Sequence, residues 1–173
     1  MTQGKDMVKG TRIRALLLRA KLLLLLVVLQ VSCDATVYHH FQPVDNGGWC
    51  AADTLMFLYE PSAESSAGCD VEMTAQVRYG ANYGYKNLYL RLETMKACDG
   101  TLLSVDTLCC RMYDEHGRRL GATAGAMYQN NSNAVVIPVS LTDTLLLKLS
   151  HVMADDTITD IYDVGLQLSA AGR

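Results

Sequence analysis

The chain has 173 residues, half of them hydrophobic, and a formal net charge of −3, which allows one domain with a sizeable core. Lys5, Lys9, Arg12, Arg14, Arg19 and Lys21 all precede Cys33 with only Asp6 against them, so the rest carries nine Lys+Arg against seventeen Asp+Glu, a net of −8. An acidic remainder without Lys/Arg clusters argues against nucleic acid and anionic lipid headgroups as partners.

The basic opening runs into Leu22–Leu29, a short apolar segment, which is the layout of a secretory signal. Eight apolar residues are too few to cross a bilayer, which needs about 20. Extending the run back to Ala15 would place Arg19 and Lys21 inside the span, each costing about 2.5–3.5 kcal/mol at mid-bilayer. The segment ends in Val31-Ser32-Cys33 and resembles a lipobox, in which the cysteine is acylated and becomes the new N-terminus. Gln30 departs from the usual aliphatic residue there; the competing readings are ordinary cleavage nearby or an uncleaved anchor. The chain then divides into a lipoprotein signal peptide, 1–32, a lipidated N-terminus and tether, 33–45, and a β domain, 46–173.

Thr36–Gln42 is the first candidate strand, followed by turn residues Pro43 and Asp45–Gly48. Leu55–Glu60 is an apolar, aromatic run stopped by Pro61 and the small, polar loop Ser62–Gly68. Val71, Met73, Ala75, Val77 and Tyr79 alternate with Glu72, Thr74, Gln76 and Arg78, the clearest period-2 pattern in the chain. After the turn Gly80–Gly84, Leu88, Leu90 and Leu92 form a second alternating strand. Asp99-Gly100 is a hairpin turn leading into Thr101–Met112, and Asp114–Gly117 is another turn. Gly121–Asn133, rich in Gly, Ala and Asn, reads as a long irregular connection. Val135–Leu141, Thr144–His151 and Ile161–Leu168 complete about eight short strands, with Pro138 marking an edge or a bulge. Alternating faces without an amphipathic helix predict an all-β fold, an antiparallel β-sandwich of jelly-roll-like type.

The residues suggest little chemistry. Cys50, Cys69, Cys98, Cys109 and Cys110 have no zinc spacing, and most of them read as small buried hydrophobes rather than a disulfide set. His39-His40 reads as part of the tether, and Asp155, Asp156, Asp160 and Asp163 as a solvated turn rather than a calcium loop. Glu60, Glu64 and Glu93 are not placed by any motif as an acid/base pair. No nucleophile elbow, zinc-protease, phosphate-loop or dinucleotide fingerprint is present, so no catalytic residue, cofactor or metal is expected. Tyr79, Tyr83, Tyr85 and Tyr89 form a candidate stacking surface for a glycan or partner protein; cross-strand packing is the competing reading. Asp-Thr-aliphatic triplets make Thr54, Thr107, Thr144 and Thr157 candidate O-glycosylation sites, although Asp ending a turn and Thr opening a strand explains the same pattern.

Several segments together resemble the GldH-type gliding-motility lipoproteins. They are Cys33 with Tyr38 in the tether; Gly48-Trp49 with Asp53 and Phe57; and Tyr85-Lys86-Asn87-Leu88-Tyr89-Leu90. Next come Asp106-Thr107-Leu108 with Met112, Asp114, Gly117 and Gly121, and finally Ile161-Tyr162-Asp163-Val164-Gly165. The segments run in order to nearly the last residue. The Ala/Gly-rich stretch around Gly121–Asn133 and the extra cysteines depart from the family pattern.

The resemblance implies a lipid-anchored, non-enzymatic component of the envelope machinery for gliding and the linked protein-secretion system. Its partners would be other envelope proteins and, through the lipid, the outer membrane; it implies no cofactor. The alternative is a surface lipoprotein that binds glycan or another nutrient. Trp49 is expected to be a core plug, and Gly165 to leave room for a neighbouring side chain or backbone.

Overall fold

A computed structural model describes residues 36–45, 48–61, 70–137 and 143–170, all within one compact unit, Ala35–Arg173. Cys33, Cys69, Glu64, Pro138 and the loop Ser62–Gly68 lie outside the described residues. The chain is all-β, an antiparallel β-sandwich. Its strands are β1 (Thr36–Pro43), β2 (Trp49–Cys50), β3 (Leu55–Tyr59), β4 (Val71–Tyr79), β5 (Asn87–Lys96) and β6 (Leu102–Arg111). They continue with β7 (Ala122–Ala124), β8 (Met127–Asn131), β9 (Val135–Ile137), β10 (Leu145–His151), β11 (Thr157–Ile158) and β12 (Ile161–Ala170). One sheet runs β1-β12-β4-β8-β7, with β9 also paired to β4; the second runs β3-β10-β5-β6; β2 and β11 form a small ribbon. Successive strands cross repeatedly between the two sheets.

Alternation decides which residues meet between the sheets. Met73, Ala75, Val77, Leu166 and Leu168 from one sheet face Leu88, Leu90, Leu92, Leu147 and Leu149 from the other, all fully buried. Each of these leucines, valine and methionine contributes about 1.5–3 kcal/mol on burial. The cysteines follow the same rule. Cys110 points inward, where burial, with adjacent Cys109 adding to it, pushes its thiol pKa up to about 12; Cys109 points outward and is half-buried. Cys50 and Cys98 are half-buried and exposed, and all four described cysteines are free.

The stretch Gly121–Asn133 corrects the expectation of an irregular connection. β7 and β8 pair as a hairpin, Ala122 opposite Gln129 and Ala124 opposite Met127, and β8 continues onto β4 through Tyr128 opposite Tyr79. Ala and Gly carry almost no strand signal, so tertiary pairing decides here. Gly125, at φ 65°, makes the turn. A side chain at Gly121 (φ 95°) would strike the Gln129 carbonyl.

The sandwich has two distinct ends. Thr36, Val71, Ala170, Tyr59, Leu145, Lys96 and Leu102 lie at the end where β1 begins. The two sheets are matched there by Tyr38 edge-on to Tyr59, centroids 5.8 Å apart, and by His40 edge-on to Phe57 at 6.2 Å. Pro43, Tyr79, Asn87, Arg111, Ile161 and the β2/β11 ribbon lie at the far end.

Two core groups yield predictions. Thr94, on β5, is fully buried and its hydroxyl has no hydrogen-bond partner among the described residues. Thr94→Val removes that unpaired oxygen at nearly constant shape, so a gain of about 1 kcal/mol is expected. A higher urea midpoint with an unchanged slope would show it; a lower midpoint would refute it.

His151 is buried against Trp49, ring centroids 5.4 Å apart. Its Nε2 lies 3.0 Å from the Trp49 carbonyl and its Nδ1 lies 3.4 Å from the Met153 amide N–H. These partners suit a neutral ring that donates from Nε2 and accepts at Nδ1. Burial lowers its pKa below the ordinary 6.5, outweighing the Trp49 hydrogen bond. Below about pH 6.5 the unfolded state therefore binds the proton more readily, and the stability present above that pH is lost as the pH falls through the folded-state value. Urea unfolding between pH 7 and pH 5 should show a larger loss for the native chain than for His151→Gln; equal losses would rule this out.

Candidate functional site

The richest cluster of polar and aromatic groups forms at the far end, from the β4–β5 turn, the β6–β7 connection and β8. Tyr79 closes β4 and is fully buried; Tyr83 turns inward after it and is 2% exposed. Their rings meet 5.7 Å apart, Tyr83 meets Tyr85 at 5.6 Å, and Tyr79 meets Tyr128 at 5.7 Å. The Tyr79 hydroxyl donates to the Leu120 carbonyl at 3.0 Å, and Tyr113 donates to the Tyr83 carbonyl at 2.9 Å. Burial, with smaller contributions from neighbouring Cys110 and tyrosines, raises the Tyr83 pKa far above the usual phenol range, so it stays a neutral donor.

The four-tyrosine stacking surface is therefore corrected by half. Tyr79 points into the core on the inward face of β4, Tyr83 is folded in from the β4–β5 turn onto the Tyr79 ring, and neither ring is available to a partner. Tyr85 is half-buried and Tyr89 is 42% exposed on the outer face of β5.

Residues that the sequence reading passed over complete the site. Arg119 lies with its guanidinium carbon 4.7 Å from the Tyr128 ring centre and 5.9 Å from that of Tyr113. It donates to the Tyr128 hydroxyl at 3.2 Å and to the Ala81 carbonyl. One arginine thus joins three separate segments through stacking and charge-assisted hydrogen bonds. The bridge Tyr113↔Arg119 around the turn is the local feature that sets it there; the recognisable signal was an aromatic and an arginine flanking Asp114–Gly117.

A surface groove of about 360 Å³ opens beside this cluster, lined by Tyr83, Gly84, Tyr85, Lys86, Tyr113, Asp114, Glu115 and Gly117. The Asp114 carboxylate accepts backbone N–H bonds from His116 and Arg118 at 2.8 Å and the Arg118 side chain at 2.7 Å. The Arg118 and His116 bonds hold its pKa below the usual carboxylate range. A carboxylate so fully accepted is a turn device rather than an acid/base. The groove offers aromatic edges and a mixed Lys86/Glu115 rim, suited to binding rather than to chemistry.

The acidic residues expected to be a solvated turn do more than that. Asp160 adopts φ 65° and its carboxylate accepts the Asn82 amide at 2.5 Å and the Tyr162 hydroxyl at 2.8 Å. Asp155 accepts the Tyr85 hydroxyl, which raises the Tyr85 pKa, and Asp163 pairs with Arg78 at 3.8 Å. The segment before β12 thus clasps the β4–β5 turn. Elsewhere, His39 Nε2 lies 2.8 Å from the Gln76 side-chain oxygen. Glu93 is taken up by Arg91 at 2.8 Å. Glu60 is exposed beside β3. Thr54, Thr107 and Thr157 are exposed and Thr144 half-buried; Thr54 and Thr144 precede β3 and β10, Thr157 opens β11 and Thr107 lies inside β6.

The family model described as GldH lipoprotein matches residues 36–168, which takes in every strand of both sheets except the last two residues of β12. No curated protein matches the sequence. Among solved structures, the chain is similar to dimeric latent PorU from Porphyromonas gingivalis, at 11% identity and a TM-score of 0.33, covering 81% of this chain and 14% of that one. It is also similar to modules of Clostridium thermocellum endo-1,4-beta-D-xylanase 10B complexed with xylohexaose, at 14% identity and a TM-score of 0.38, covering 82% and 29%. A third is the Eiger TNF structure from S. frugiperda, at 9% identity and a TM-score of 0.28, covering 80% and 96%. The chain spans only 14% and 29% of the first two proteins, and similarity this distant decides neither activity nor ligand.

Proposed function

This chain belongs to the GldH lipoprotein family, gliding-motility-associated lipoproteins of the cell envelope, and from that premise we propose that it is a non-enzymatic component of the gliding machinery and the protein secretion linked to it. Cys33 carries the lipid that holds it to the outer membrane. The sandwich then works as an interaction module for other envelope proteins. The observation that carries this reading is the family match over residues 36–168. The chemistry of the far end agrees with it: buried tyrosines, an arginine committed to structural contacts and a saturated carboxylate make a rigid binding surface.

Cys33→Ser is expected to abolish palmitate labelling and release the domain from membranes; continued labelling would refute the anchor. Deleting the gene should reduce surface spreading and alter the secreted proteome, and no change in either would refute the machinery role.

A second reading, binding of a glycan or other nutrient at the cell surface, is favoured by one feature: the groove between Tyr85 and Tyr113. Retention of the protein on a glycan array, lost in Tyr85→Ala, would support it. Thr54, Thr107 and Thr157 present exposed hydroxyls to O-glycosylation; an intact mass equal to that of the unmodified lipidated polypeptide would exclude it.

A further inference from the structure

The outer face of the β3-β10-β5-β6 sheet changes character along its strands. At the end where β1 begins, one row crosses all four strands without a charge: Leu58 opposite Leu146, Leu146 opposite Met95, and Met95 opposite Leu102. The register shift at Thr94/Met95 leaves both Leu102 and Leu103 outward, 52% and 44% exposed, and Leu58 at the other edge is 50% exposed. The next row, Met56, Lys148, Glu93 and Val105, is apolar only at its edges, and beyond it Ser150, Arg91 and Thr107 are polar. The apolar row is about 15 Å wide at the usual strand spacing; charge enters the face about 7 Å further along, and the wholly polar row lies about 14 Å from it. Tyr89, 42% exposed, stands alone beyond the polar rows, whereas the uncharged row is continuous across all four strands, and such continuity marks a contact surface rather than scattered exposure.

Its position identifies the occupant. Cys33 stands three residues before Thr36, a reach of at most about 10 Å for extended chain. Thr36 opens β1 at the same end of the sandwich, and β1 runs beside β3, with the Gln42 side chain donating to the Met56 carbonyl. A lipid on Cys33 therefore keeps this end of the domain at the bilayer surface, where a tethered face has a high effective concentration of lipid. The acidic domain has no electrostatic attraction to anionic headgroups, but the contact row contains no charge. Lys96 at its margin is neutralised by Asp143 at 2.8 Å, and Lys148 behind it has a long stem that can lie along the interface with its ammonium in water.

Resting on the lipidation of Cys33 proposed above, we infer that Leu58, Met95, Leu102, Leu103 and Leu146 form a membrane-contact face that lays the smaller sheet against the lipid interface. This fixes the orientation of the domain and turns the Tyr85/Tyr113 groove away from the bilayer, towards partners. The anchor supplies attachment; the face supplies posture.

The test uses the full lipidated protein in vesicles of phosphatidylcholine and phosphatidylethanolamine containing brominated phosphatidylcholine, which quenches tryptophan on contact. Leu103→Trp is expected to lose most of its added emission. Trp49, buried at the far end, and Arg111→Trp, at the far end of the same sheet face, should keep theirs. Leu58→Asp combined with Leu103→Trp should restore the emission without detaching the protein. Co-sedimentation with vesicles but no quenching of Leu103→Trp would overturn the contact face while leaving the anchor intact. Failure to co-sediment would overturn the anchor on which it rests. An unquenched Leu103→Trp in a detergent-solubilised dimer that Leu58→Asp dissociates would assign the face to a second copy and overturn the inference.

Discussion

Trp49→Ala is expected to lower stability by about 3–5 kcal/mol, the range for truncating a large buried aromatic. Trp49 is 1% exposed in a strand of only two residues, so packing of its ring, and not a long ladder, holds that segment in place. Its indole N–H donates to the Asp53 carbonyl at 2.9 Å, closing the loop into β3, while its own carbonyl lies 3.0 Å from His151 Nε2. Removing the ring leaves a cavity at the far end of the core and frees both the β2/β11 ribbon and the His151 contact. Against a typical domain stability of about 5–15 kcal/mol this is a large fraction. Trp49→Phe should lose less, since it refills part of the space. Urea unfolding followed by circular dichroism gives the measurement, because the chain's single tryptophan is the residue removed. A Trp49→Ala midpoint close to that of the native chain would show that the ring is not a core plug.

Gly165→Val should separate β1 from the sheet. Gly165 lies opposite Phe41 in the β1–β12 pair. A Cβ there would come within 2.8 Å of a Phe41 ring carbon and 2.9 Å of the His40 carbonyl oxygen. The ring has little room to yield, because the Arg78 guanidinium covers it at 3.9 Å from the ring centre. The carbonyl belongs to the paired backbone and can move only if β1 moves. Overpacking of this kind costs about 1–3 kcal/mol for small additions, and valine adds two methyl groups beyond the Cβ. Because β1 is an edge strand, the strain should appear locally. Amides of 38–42 should exchange with solvent much faster while those of β4 and β5 stay protected. Unchanged protection in β1 would refute the close-packing role. With the lipid proposed on Cys33, a detached β1 would also lengthen the tether, so the inferred membrane contact predicts weaker quenching of Leu103→Trp in Gly165→Val without loss of attachment.

Long strands were legible because their neighbours in sequence are also their context. The alternation over Val71–Tyr79 and Leu88–Glu93, and the turn at Asp99-Gly100, specify element and inner face before any partner is chosen. The β7–β8 hairpin was not legible, since Ala, Gly and Asn have weak strand preference and the pairing with β4 stabilises it. Nor was Arg119, whose partners Ala81, Tyr113 and Tyr128 come from three segments. Asp155 and Asp160 resemble a solvated turn in sequence, and only contact with Tyr85 and Asn82, more than seventy residues earlier for Asp160, gives them a structural role.

By itself, then, the sequence determined the acidic β domain behind a basic N-terminal stretch, the inward faces of its main strands, and the run of segments that marks its family. These depend on composition, period and local turn chemistry. Only the tertiary structure decided that Tyr79 and Tyr83 are core while Tyr85 borders a groove. It also decided that the uncharged ends of four strands align into one row beside the start of β1. Alternation tells a residue which face it shares with its neighbours two positions away; which strands lie side by side, and in what register, is settled by packing between distant segments.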